Sequence, residues 1–271
     1  MRIFTVDSFT DKPFTGNPAG VCILESDYSD DLYQKIAREI NYSETAFLVK
    51  QNNNFRIRWF TPKAEVNLCG HATLAAAQIL YEYQNYDPLE EIRFDSNSGI
   101  LIAKKKGDKI ELNFPQLFVN KTNSNEILEK AFDIRPTYVG KNNNRYLIEI
   151  DDYEKLPNIK PNFQLLNSLD LGRFIITAAS KNPDYDFISR YFAPGVGVLE
   201  DPVTGTAHCY LAPYWGQKLN KTVMTGFQAS ERSGTIECEL IENNRVLFRA
   251  KAIVMHELIP KWTKNLLDFV K

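Results

Sequence analysis

Glu44, Cys69, His71 and Asp201 are the residues of this 271-residue chain whose types and settings could do proton chemistry. Glu44 stands in Asn41-Tyr42-Ser43-Glu44-Thr45-Ala46-Phe47, between a helical pattern and an apolar strand pattern. A carboxylate there must find partners or shift its pKa upward, which suits a general acid/base. A loop glutamate capping Ser43 or Thr45 is the other reading. Asp201 opens Asp201-Pro202-Val203-Thr204-Gly205-Thr206. Pro202 forbids helix at Asp201 and leaves its carboxylate on a pre-helix loop, either aimed at a site or closing an Asx turn. His71 follows Gly70 at the start of an apolar helix pattern, where the helix dipole favours a neutral, hydrogen-bonding ring. Cys69 precedes the same glycine, and a helix N-terminus can activate a thiol. A racemase with one thiol on each face would need a second cysteine just before Gly205. The residues there are Asp201-Pro202-Val203-Thr204, so Cys69 reads as a small buried residue.

The elements that would hold these residues are written twice. Arg56-Ile57-Arg58-Trp59-Phe60-Thr61-Pro62 precedes Cys69-Gly70-His71-Ala72, and Ile188-Ser189-Arg190-Tyr191-Phe192-Ala193-Pro194 precedes Thr204-Gly205-Thr206-Ala207. Gly70 and Gly205 share their spacing with Gly99 and Gly234, a common offset that implies a duplicated unit. The expected halves are residues 1–118 and 119–271. In the first, strands are predicted at about Arg2–Phe9, Val21–Leu24, Thr45–Val49 and Phe55–Phe60, with a helix from Ser29 to about Ile40. A helix over His71–Tyr83, apolar nearly all round, must be buried. Strands follow near Glu91–Phe94, Ile100–Lys104 and Lys109–Phe114. The second half repeats this with strands near Arg173–Ala178 and Phe187–Phe192 and a helix over Thr206–Leu219. Strands near Val223–Ala229, Thr235–Ile241 and Val246–Val254 complete it. Pro213 predicts a kink or an early end of the second helix. Each half is thus expected to be a mostly antiparallel sheet around one central helix, an α+β architecture. Pro260–Lys271 reads as a short amphipathic helix, docked on the chain's own core or offered to a partner.

Composition narrows the function classes. A net charge of −2, with 24% charged and 44% hydrophobic residues, gives no electrostatic reason to expect nucleic acid or an anionic membrane. Met1–Asp7 reads as a strand rather than a signal peptide, and the most apolar stretch, around Ala72–Tyr81, is too short to span a bilayer. Four cysteines without a CxxC pair fit reduced thiols and a cytoplasmic location. Cys69, His71, His208 and Cys209 lack the spacing of zinc-ligand pairs. No GxGxxG, P-loop or GxSxG is present. The expectation is therefore no metal and no organic cofactor. Glycine at each helix start, Gly70 and Gly205, would let an anion approach free backbone N–H groups. A small carboxylate is expected to be held by both starts in one cleft.

The stretches Asp7-Ser8-Phe9-Thr10, Gly16-Asn17-Pro18-Ala19, Ser43-Glu44-Thr45-Ala46-Phe47, Arg58-Trp59-Phe60-Thr61-Pro62, Cys69-Gly70-His71-Ala72-Thr73 and Glu200-Asp201-Pro202-Val203-Thr204-Gly205 carry a resemblance. In this order the chain resembles the phenazine-biosynthesis, PhzF-like isomerase family. The resemblance implies the diaminopimelate epimerase-like fold, duplicated as two pseudo-symmetric halves, and cofactor-independent proton transfer on a small carboxylate-bearing substrate. It implies that Glu44 moves the proton and that His71 and Asp201 hold substrate and carboxylate in place. Asn17, Gly70, Gly205 and Thr206 would bind substrate, with a homodimer as the expected assembly. Thr206 stands where the family commonly has serine, and Tyr42 where a smaller aliphatic residue is frequent. An amino-acid epimerase or racemase, or a catalytically silent binding module of the same fold, are the competing readings.

Overall fold

A computed structural model describes residues 1–167 and 172–261. The amphipathic pattern expected at the C-terminus falls, from position 262 onward, outside the described residues. The chain divides into two compact units, Met1–Asn113 together with the segment from Arg249 onward, and Phe114–Phe248.

The first unit begins with β1 (Arg2–Ser8), β2 (Asn17–Leu24), α1 (Asp30–Ile40), β3 (Glu44–Gln51) and β4 (Asn54–Phe60). It continues with β5 (Glu65–Val66), α2 (Gly70–Tyr83), β6 (Ile92–Ser96), β7 (Gly99–Lys106) and β8 (Lys109–Pro115). Strands β2–β3 and β4–β6 run parallel, while β1–β2, β3–β4, β4–β5, β6–β7 and β7–β8 are antiparallel. Parallel neighbours need a crossover, and α1 provides it between β2 and β3. Its N-cap Ser29 accepts from the Leu32 amide, worth about 1 kcal/mol, and Asn41 closes it in the left-handed conformation. The side chains of β3 alternate between two buried faces. Phe47 and Val49 pack with Leu32, Tyr33 and Ile36 of α1. Glu44, Ala46 and Leu48 point the other way, toward α2. That helix is buried on nearly every side, as its apolar sequence requires.

The second unit contains β9 (Asn120–Lys121), α3 (Glu126–Phe132), β10 (Tyr138–Asn142), β11 (Arg145–Glu149), α4 (Phe163–Asn167) and β12 (Arg173–Ala179). There follow β13 (Phe187–Ala193), β14 (Val198–Asp201), α5 (Gly205–Leu219), β15 (Val223–Gln228), β16 (Gly234–Ile241) and β17 (Arg245–Ala250). The pairing scheme of the first unit recurs. Strands β11–β12 and β13–β15 are parallel, while β10–β11, β12–β13, β13–β14 and β15–β16 are antiparallel. The helix α5 runs through Pro213 to Leu219 rather than ending early. Proline cannot donate to the carbonyl four residues back, that of Cys209. The Leu117 amide donates to it instead at 2.9 Å, so the helix continues without an orphaned acceptor.

Gly70 and Gly205 are each the first residue of their helix, and Gly99 and Gly234 each the first of their strand. The duplication read from the common offset is therefore present in the elements. Register makes the equivalence residue by residue. Thr45 faces Phe60 across β3–β4 as Phe174 faces Phe192 across β12–β13. Trp59 faces Val66 as Tyr191 faces Asp201. Glu44, which opens β3, thus corresponds to Arg173, which opens β12.

Two details differ from the sequence reading. The expected strand over Val246–Val254 is two strands, because the chain passes from one unit to the other there. The second of them, β18 (Ala252–Leu258), pairs antiparallel with β1 and packs on α2. The expected division into 1–118 and 119–271 accordingly differs from the observed one: the C-terminal strand belongs with the first unit, whose β1 it completes.

Candidate active site

Three elements of the first unit bring the proton-handling residues together. Ala19 lies beside Glu44 in the β2–β3 register, so the start of β3 is held next to Asn17 at the start of β2. The loop before β2 turns at Gly16, where φ is +73°. A Cβ there would sit 2.2 Å from the Ser8 carbonyl oxygen, so only glycine lets Asn17 enter the sheet at this point. Ser8, at the end of β1, donates to the His71 carbonyl oxygen at 2.8 Å and ties the first turn of α2 to the sheet.

On this frame His71 Nε2 lies 3.4 Å from Glu44 Oε2 and 3.3 Å from Ser43 Oγ. Ser43 Oγ donates to Asn17 Oδ1 at 3.5 Å, a long contact. Cys69 Sγ is 3.5 Å from His71 Nδ1. With Nε2 protonated, its N–H lies toward Ser43 and Glu44 and the Nδ1 lone pair faces the thiol. Burial pushes the Glu44 carboxyl above the usual carboxylate range, and hydrogen bonds from Ser43 and Cys69 pull against that shift. With its side chain 21% exposed, Glu44 still reaches solvent or a ligand. A carboxyl raised toward neutrality can both give and take a proton, the requirement for acid/base work near neutral pH. The ligand atoms of Glu44, Cys69 and His71 lie within 4.8 Å of one another, so these three could also hold a soft metal ion. The sequence spacing had given no sign of this grouping, because Glu44 reaches it from a different strand.

In the second unit Asp201 is the last residue of β14, followed by the short link Pro202-Val203-Thr204 into α5. Thr204 Oγ1 donates to Asp201 Oδ2 at 2.5 Å. The Gln228 side chain bridges the link, accepting from the Thr204 amide at 2.9 Å and donating to the Asp201 carbonyl oxygen at 2.6 Å. Ser230 Oγ donates to the Pro202 carbonyl oxygen at 2.7 Å. The start of α5 is therefore fixed by polar side chains, with Thr206 exposed just beyond Gly205. Neither N-cap side chain, Cys69 for α2 or Thr204 for α5, accepts a hydrogen bond from the first turn of its helix.

His208 is buried inside α5 and is not part of the Glu44 group. Its Nδ1 meets the Thr204 carbonyl oxygen at 2.9 Å, and Nε2 has no partner. Burial lowers its pKa from 6.5 to about 4, so it is a neutral structural ring. Sequence reasoning did not single out Ser8 or Ser43. A hydroxyl within reach of a histidine gives no local signal when the two are 28 or more residues apart. Arg145, Arg173 and Tyr191 were missed as well; the equivalence of Arg173 with Glu44 becomes visible only through strand register.

Comparison with known proteins agrees with this architecture. The family model for phenazine biosynthesis-like protein, PhzC-PhzF, matches residues 6–257. An uncharacterized isomerase of Halalkalibacterium halodurans is 47% identical over 255 residues, 93% of this chain and 96% of its own. The crystal structure of a putative phenazine biosynthesis PhzC/PhzF protein from Clostridium difficile superposes with a TM-score of 0.90 at 40% identity, covering 96% of this chain and 99% of its own. A probable proline racemase from Agrobacterium radiobacter, 9% identical, shares the fold with a TM-score of 0.62 over 96% of this chain and 92% of its own. The fold is the duplicated, diaminopimelate epimerase-like one.

Proposed function

Because the chain belongs to the phenazine biosynthesis-like PhzC-PhzF family, we propose that it is a cofactor-independent isomerase moving a proton on a small carboxylate-bearing substrate. Glu44 takes the proton from one carbon and returns it to another. The His71 ring, in contact with Glu44 and Ser43, orients that carboxyl. Asp201, through Thr204, sets the start of α5, where Gly205 and Thr206 contribute to substrate binding, as Asn17 and Gly70 do in the first unit. The four cysteines are buried and none is in a disulfide, which fits a reducing compartment such as the cytoplasm.

The observation that carries this reading is the raised, half-buried Glu44 carboxyl within hydrogen-bond reach of His71. A two-base racemase would need a second proton acceptor at the equivalent place. Arg173 stands there, and a guanidinium does not give up its proton. One carboxyl acting alone fits a shift of a proton between two carbons better than inversion at one.

The test is deuterium uptake from D2O into a panel of small unsaturated and amino carboxylic acids, followed by proton NMR. The wild type should exchange at least one of them, and Glu44→Gln should slow that exchange by about 10²–10⁴-fold. Exchange untouched by the substitution would reject Glu44 as the acid/base. Acids that bind without any exchange would make the protein a binding module.

A further inference from the structure

The register that equates Arg173 with Glu44 places a second arginine next to it. Arg145 lies directly opposite Arg173 on the neighbouring parallel strand β11. Both side chains point to the face of the sheet that packs on α5. Glu149, two turns of the pleat from Arg145, meets Tyr214 and Lys218 of that helix, and Thr177 on β12 accepts from Trp215. Like charges directly opposite on adjacent strands repel. Among the described residues neither arginine is paired with a carboxylate. Arg173 Nη1 donates to Asn144 Oδ1 at 3.2 Å, and Arg145 Nε is buried without a partner. One strand further on, Tyr191 has its hydroxyl within reach of Arg145 and lies in the field of both guanidinium groups and of the Asp201 carboxylate. Tyr191 is also the residue opposite Asp201, from which the chain enters α5.

Two adjacent guanidinium forks, an orphaned N–H and a phenol form a seat complementary to a planar anion. We propose that Arg145, Arg173 and Tyr191 bind an anionic group of the ligand, and that the ligand is a small dicarboxylate. The duplicated position has diverged by charge: a carboxyl that moves a proton in one unit, a guanidinium that holds an anion in the other. This deepens the isomerase reading and rests on it for the identification of the ligand as substrate.

The experiment is calorimetric binding of glutarate against butyrate, a pair of similar length that differs by one carboxylate. Wild-type protein should prefer glutarate by about tenfold or more. Arg173→Gln and Arg145→Gln should each erase that preference, with an unchanged urea unfolding midpoint as the control for folding. Arg173→Lys should retain part of it, as a point charge without the fork. Equal affinity of the wild type for the two acids, or a preference that survives both glutamine variants, would overturn the proposal. Glu44→Gln should keep the preference intact. Tight glutarate binding without deuterium exchange into any dicarboxylate would sink the isomerase reading and leave the anion seat standing.

Discussion

His208 provides a pH-dependent stability that can be calculated from its surroundings. It is fully buried, tilted against Phe187 and edge-on to Phe248, with Nδ1–H donating to the Thr204 carbonyl oxygen and Nε2 facing no acceptor. Protonation would put an N–H with no partner, and a charge, into an apolar wall. The ring's pKa accordingly falls from 6.5 to about 4 on folding. Unfolded chains therefore bind a proton here that the folded protein refuses. The associated stability is complete above pH 6.5 and is lost as pH falls toward 4. At about 1.4 kcal/mol per tenfold change, the loss is about 3 kcal/mol, a large share of the roughly 5–15 kcal/mol that holds a domain together. The perturbation is His208→Asn, which keeps a side-chain N–H for Thr204 but does not titrate. Urea denaturation at several pH values between 7.5 and 4 gives both stability curves. The substitution costs packing at every pH, so the informative quantity is the difference between the curves, in which all other groups cancel. That difference should shrink by about 3 kcal/mol toward acid. Parallel curves would show that His208 is not held neutral and would refute the reasoning.

Three other outcomes are expected. Glu44 has the opposite linkage: its raised pKa lets the folded protein hold a proton that the unfolded chain releases, so its contribution falls as pH rises. Glu44→Gln should therefore gain stability relative to wild type from about pH 4 upward, and a difference that shrinks with rising pH would contradict the assigned shift. Gly226→Ala should destabilise by about 1–3 kcal/mol, read from the urea midpoint, because its Cβ would fall 2.5 Å from the Phe187 ring and 2.9 Å from His208 Nε2. Cys69→Ser should leave deuterium exchange within about tenfold of wild type, far less than the 10²–10⁴-fold expected for Glu44→Gln; the reverse ranking would favour a thiol-based epimerase.

Much of this arrangement was legible because local patterns and the repeat agree. Ser29, the spacing of Leu32, Ile36 and Ala37, and the alternation of Phe55, Ile57 and Trp59 with Arg56 and Arg58 each mark an element that formed where its pattern lies. Glu44, His71 and Asp201 were nameable from their settings before helices and from the family's motifs. The region between β8 and β12 was not read, since its strands and helices are short and packing, rather than propensity, sets them. The path of β18 was hidden for a related reason. Pairing with β1 joins residues some 250 positions apart, and no local signal encodes it. The Arg145–Arg173 pair was invisible for the same cause, being made by register across parallel strands.

The central claim, that one carboxyl carries a proton between two carbons, is tested most directly by isotope crossover. A substrate found by the exchange screen would be deuterated at the carbon that loses its proton and converted in ordinary water, with the product analysed by mass spectrometry and NMR at early turnover. A single Glu44 carboxyl, partly shielded from solvent, should deliver a measurable fraction of that deuterium to the new carbon, and Glu44→Gln should form no product on the same timescale. Product bearing only solvent hydrogen, with inversion at the original carbon and no new position labelled, would contradict the account.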